Sequence, residues 1–226
     1  MAFDYTDWPL PADVVTMLAS ANITPGAGIT TDIKTLAINS AVNLLVLKTG
    51  REFKPTSAGT VRYYDGTGTG EMIIDDYISI TDVSFYALPM QPAVAIANYN
   101  EVTNTPYAKN RIQIFKGPAN SPIGYFTRFP QGRSNIQVTA TFGYGTSIPS
   151  AVWEAVLGQA AANLADRIRL TSNGILTELH DLDQDFKWSD KQLGMLAGWR
   201  DEFANVTKTF KRPLRDVLKR DTPILI

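Results

Sequence analysis

The chain has 226 residues, enough to bury a substantial core, and its 21 Lys+Arg against 22 Asp+Glu leave a net charge of −1. That balance excludes the strong basic excess of a protein that coats nucleic acid on its own. The absence of cysteine removes disulfides, thiolate metal sites and cysteine nucleophiles together.

The N-terminal MAFDYTDWPLP places acids where a secretion signal needs a basic region and an apolar run. LPADVVTMLASANI at 10–23 predicts a short helix that starts at Pro11 and stops at the turn-forming TPGAG. From Thr31 to Lys48, Ile33, Leu36, Ala37, Ala41, Leu44 and Leu45 recur at three- and four-residue spacing, which predicts a second helix ending at Gly50. No segment reaches the roughly 20 apolar residues of a membrane helix.

The period then changes to two. TVRYY, MIID and YISITDVSFYAL are rich in β-branched and aromatic residues and predict antiparallel strands, with DGTGTGE as a glycine-rich hairpin between them. A long polar loop is expected over about 89–110, RIQIF at 111–115 resumes a strand, and NIQVTATF puts Ile136, Val138, Ala140 and Phe142 on one face. TFGYGTSIP at 141–149 then leads from strand to helix, with Gly143 and Gly145 easing the exit and Pro149 starting the helix.

A helix over about 150–170 carries Trp153, Val156, Leu157, Ala160, Leu164 and Ile168 at helical spacing. Its small residues Gly158, Ala161, Ala162 and Ala165 invite close packing by another helix, of this chain or a neighbour. SDKQ at 189–192 is a capping box that opens a last helix through about Asn205. The result is an α+β chain, expected to be one compact domain with extensions: N-terminal helices over 1–56, an antiparallel β-insert over 57–146, C-terminal helices over 147–205 and a basic tail over 206–226. The tail's Leu214, Val217 and Leu218 at helical spacing suit docking on a partner protein better than binding DNA alone.

Charge is uneven along the chain. Residues 1–33 hold Asp4, Asp7, Asp13 and Asp32 without a Lys or Arg, whereas 205–226 hold Lys208, Lys211, Arg212, Arg215, Lys219 and Arg220 against Asp216 and Asp221. Oppositely charged ends suit pairing between subunits or with a partner; two solvated tails are the plainer reading.

The enzyme motifs fail on their details. DGTGTGE lacks a following GK[ST] and leads into a strand, whereas a phosphate loop opens a helix. His180, Asp181, Asp183 and Asp185 spell HDLDQD, yet Phe186 and Gln192 stand where a calcium loop needs Gly and Glu, so an acidic loop before a helix is favoured over a divalent-ion site. His180 is the sole histidine and has no G-x-S-x-G partner. No catalytic residue, metal ligand or cofactor is expected.

The order of two helices, RYYDGTGTGEMIIDDYISITDVSF, a long loop, an arginine-led strand and NIQVTATFGYGTSIPSAVWEAVLGQAAANLADR resembles the head-tail connector (adaptor, or head-completion) proteins of tailed bacteriophages over roughly 30–170. In that family a helical framework carries a small β-insert. The resemblance implies a non-enzymatic virion protein, made in the host cytoplasm and placed at the virion neck. It would form a homo-oligomeric ring, a dodecamer, that joins the portal protein to the tail or the next neck protein, with genomic DNA passing through the lumen and no membrane involved. By the same resemblance Lys208, Phe210, Lys211, Arg212, Arg215, Leu218, Lys219 and Arg220 would meet the portal. Leu36, Leu44, Trp153, Leu157, Ala161 and Leu164 would supply part of the subunit interface. A carbohydrate- or ion-binding module using the 89–110 loop is the alternative, and a hydrolase using His180 the third.

Overall fold

The structure is a computed structural model that describes residues 5–26, 28–86, 93–102, 109–115, 126–178 and 189–212, with the backbone alone over 169–178. Among the described residues it has four helices and a six-stranded antiparallel sheet, an α+β fold. Two compact units emerge. One comprises residues up to Gly50 together with Ile148–Lys211; the other comprises Arg51–Ser147 and Arg212.

The helical unit contains α1 (Pro11–Ser20), α2 (Thr31–Thr49), α3 (Ser150–Glu178) and α4 (Asp190–Thr209). α1 starts with Pro11 in its first turn, and the Asp13 carboxylate accepts the Leu10 backbone N–H at 2.7 Å. α2 is capped by the Thr30 hydroxyl and ends at Gly50, whose φ of 67° lies in the left-handed region as the sequence reading requires. The expected capping box of α4 forms: Ser189 Oγ accepts from Gln192 N at 3.3 Å and Gln192 Oε1 accepts from Ser189 N at 2.9 Å.

α3 is the hub of this unit and touches each of the other helices. Its large and small faces are both buried, from Val152 and Trp153 through Ala160, Ala161 and Ala162 to Ile168. The helix that packs on the small residues is therefore one of the chain's own. Trp199 of α4 lies against Gly158, where an added Cβ would stand 3.2 Å from the Trp199 Cβ. In α2 the buried stripe is Ile38, Ala41, Leu45 and Thr49: Ala41 and Leu45 go inside as expected, whereas Ile33, Ala37 and Leu44 are half-buried and Leu36 is exposed. Apolar side chains surround α2, so periodicity alone did not single out the side that packs.

The sheet unit contains β1 (Thr60–Gly66), β2 (Glu71–Phe85), β3 (Val94–Ala95), β4 (Tyr99–Val102), β5 (Lys109–Ile114) and β6 (Gly132–Phe142). The strand order is β1-β6-β2-β5-β4, with β3 on the end of β2. The expected hairpin between β1 and β2 does not form, because β6 lies between them. β2 is long and changes partner: its first half pairs with β5 and its second half with β6, with irregular register between Tyr77 and Ser79 and again between Ile80 and Asp82. Such irregularities bend a strand, and the sheet curls until β1 side chains reach the first half of β2.

The core inside the curl includes Tyr64, Met72, Ile74, Tyr77, Ile112, Phe129, Ile136, Val138, Ala140 and Phe142. The four β6 residues alternate inward as the sequence reading states. The described part of 89–110 is not a loop: it supplies β3, β4 and the start of β5. Its polarity misleads because Asn98 is fully buried, where its side chain donates to Phe115 O at 2.7 Å and Phe126 O at 2.6 Å and accepts from Phe126 N at 2.9 Å.

Candidate functional site

TFGYGTSIP closes the sheet unit against the segment that opens it. Thr56 N donates to Phe142 O at 2.8 Å, the Thr56 hydroxyl accepts from Phe142 N at 2.9 Å, and Tyr144 N donates to Glu52 O at 2.9 Å. Gly143 N donates to Asp76 O at 2.8 Å. Gly143 has φ of 138°, and a Cβ there would stand 2.9 Å from Pro55 Cα. Only glycine fits both the backbone and the space. Gly145 shows no such demand, so the two glycines of the motif are not equivalent.

Beneath this seam lies a buried ionic cluster. Asp75 and Asp76 are adjacent on β2 and serve different partners, as the alternation of a strand requires. Asp75 Oδ2 accepts from Arg62 Nη1 at 2.7 Å and from the Tyr64 hydroxyl at 2.9 Å. Arg62 also donates to Glu52 at 2.6 Å and stacks over the Phe142 ring at 4.3 Å. Asp76 Oδ2 accepts from Arg51 Nη1 at 2.9 Å and Asp76 Oδ1 from Arg212 Nη2 at 2.8 Å. Arg51 lies over Tyr144, 5.4 Å from its centroid, and Tyr144 packs on buried Phe53.

This environment holds protons in place. For Arg62, burial works against the charge, yet the hydrogen bond to Glu52 and the negative Asp75 outweigh it and push the guanidinium above its usual range. Burial, then the Asp75 charge, pushes the Tyr64 hydroxyl well above the ordinary tyrosine value. Each carboxylate is clamped by guanidinium groups, Asp75 by Arg62 and Asp76 by Arg51 and Arg212. Among the described residues no group of three or more His, Cys, Asp or Glu is disposed to hold a metal ion, and no helix is long and apolar enough to cross a membrane.

The residues expected at a subunit interface divide sharply. Trp153, Leu157, Ala161 and Leu164 are buried within this chain, and Trp153 Nε1 also donates to Asp7 O at 3.0 Å. They fill the chain's own core, because α3 is enclosed by its sister helices. Leu36 is 58% exposed and Leu44 half-buried. Leu47 is 82% exposed. Eleven residues apart on α2, Leu36 and Leu47 share a face, and an open cleft of about 320 Å³ beside Leu36 is lined also by Ala37, Ser40, Asn163 and Arg167.

Of the expected portal-facing residues, Lys208 and Lys211 are exposed and Phe210 is half-buried. Arg212, expected to meet the portal, is only 2% exposed and its guanidinium is taken up by Asp76 in the ionic cluster. Arg215, Leu218, Lys219 and Arg220 lie outside the described residues, as do His180, Asp181, Asp183 and Asp185. Sequence reasoning missed Asp75, Asp76, Arg51 and Arg62. Its available signal was an acid pair inside the apolar strand MIIDDYI, which folds only if cations are buried with it.

No protein-family model matches the sequence, and no curated protein matches it. The fold is similar to solved chains of gene transfer agent (GTA) particles. A chain from the neck of the empty particle, computed with C6 symmetry, aligns at TM-score 0.47 and 15% identity over 88% of this chain and 92% of that one. A chain from the neck of the native particle, computed with C12 symmetry, aligns at 0.43 and 14% over 88% and 95%. One from the virion of the native particle aligns at 0.46 and 18% over 88% and 92%.

Proposed function

We propose that this chain is a structural, non-enzymatic neck adaptor of a phage-like particle, a head-tail connector that assembles into a ring, attaches to the portal, joins it to the tail and passes DNA through its lumen. The observation that carries the reading is architectural. A helical framework is interrupted between α2 and α3 by a curled antiparallel insert, the insert is braced internally by buried ion pairs, and its exit is the TFGYGTSIP seam. This is the arrangement that the sequence resemblance to connector proteins calls for.

The chemistry agrees with a load-carrying part. The cluster fixes backbone and offers no activated nucleophile, and a chain of near-zero net charge lets DNA slide without capture. Exposed Leu36 and Leu47 on α2 give a heterologous contact its apolar centre, the kind of contact that closes into a ring. Lys208, Phe210 and Lys211, with the residues that follow Arg212, form the portal-directed end.

Negative-stain imaging of the purified protein, alone and with its portal, tests the reading. Rings in at least one condition, stacked coaxially on the portal, are expected. A protein that stays monomeric in both overturns it.

A further inference from the structure

Asp76 carries two guanidinium groups, one on each carboxylate oxygen, and the two are held differently. Arg51 opens the segment whose residues Glu52 and Thr56 are laced to 142–144, and its guanidinium also lies over Tyr144. Its guanidinium is thus held from two sides, by Asp76 and by the Tyr144 ring of that seam. Arg212 reaches β2 through its guanidinium, donating to Asp76 Oδ1 at 2.8 Å and approaching Ile74 O at 3.5 Å, while its Nε is buried with no hydrogen-bond partner. A buried donor left without an acceptor weakens the hold.

We infer that Arg212 is a releasable latch: its clamp on Asp76 holds residue 212 against β2, and it can open without unfolding the sheet. The decisive point is what remains after release. Breaking a buried ion pair is normally costly because a bare charge stays behind. Here Asp76 keeps Arg51, so no bare carboxylate is created, and the freed guanidinium goes into water. The clamp is a two-state anchor with one permanent and one detachable arm.

Hydrogen exchange by mass spectrometry on the full-length protein tests it, with Arg212→Gln and Arg51→Gln compared to wild type. In Arg212→Gln the amides of 206–212 are expected to exchange about tenfold faster, the size of one lost charge-assisted hydrogen bond, and trypsin should cut sooner after Lys211. Amides of β2 and β6 should keep their wild-type rates. Arg51→Gln should instead accelerate exchange in β2 and in 142–144. Wild-type rates at 206–212 in Arg212→Gln overturn the latch. So does equal acceleration across β2 and β6, because Arg212 would then be an ordinary part of the core.

Discussion

Two adjacent carboxylates inside an apolar strand are tolerable only because each meets a cation before it meets the core. Asp76, shared by Arg51 and Arg212, has the most to lose. Asp76→Ala removes the carboxylate that Arg51 and Arg212 share and leaves the Arg51 guanidinium buried beside an apolar side chain, which should cost about 3–5 kcal/mol in urea unfolding. Tyr64 gives the same cluster a pH signature. Burial first and Asp75 second raise its hydroxyl, and burial followed by Glu101 raises Tyr77 likewise, so the folded state keeps protons that unfolded tyrosines release near pH 10. Both contributions are complete below about pH 10 and decline above it. Urea midpoints should therefore show no change from these groups between neutral pH and about pH 9, and then fall with increasing pH. The fall should be shallower in Tyr64→Phe; an unchanged slope would count against the assignment. None of this was readable from the residues one at a time, since MIIDDYI names the acids while their partners stand elsewhere in the chain.

Elements divide into those whose ends and faces are fixed locally and those fixed by distant partners. The α4 capping box belongs to the first kind: Ser189 and Gln192 satisfy each other across three residues, so Ser189→Ala should cost about 1 kcal/mol. The inward alternation of β6 and the Gly50 stop of α2 were legible for the same reason. Strand pairing belongs to the second kind. The glycines of DGTGTGE suggest a local hairpin, but Gly66 is there because a Cβ would collide with Pro130 O, and β1 pairs with β6 about seventy residues away by register. α2 shows the same limit on a helix: Ala41 and Leu45 of the expected face go inside, but apolar residues lie all round and tertiary contact takes Ile38 in and leaves Leu36 out. The leucines left outside make a clean test. Leu36→Asp with Leu47→Asp should leave the thermal midpoint within a few degrees of wild type, as surface changes do, while abolishing ring assembly by light scattering. Rings that persist in the double variant would move the interface elsewhere.

At the scale of the whole molecule, the basic C-terminal region has two parts that sequence reading joined into one. Charge counting places a single tail from about residue 206, and a cut there would look harmless. The structure extends α4 to Thr209, buries Val206 and Thr207, and engages Arg212 with Asp76, so the described contacts run up to residue 212. Two truncations therefore separate scaffold from attachment. Removing 205–226 deletes the last turn of α4 together with one arm of the clamp, and should lower stability by several kcal/mol, the sum of lost apolar burial and a lost charged contact. Removing 213–226 keeps all of these contacts. That shorter deletion should unfold at the same urea concentration as the full chain, still form rings, and fail to co-sediment with portal. If it binds portal as the full chain does, attachment lies on Lys208, Phe210 and Lys211 or on another surface. If it unfolds as readily as the longer deletion, the boundary drawn at Arg212 is wrong.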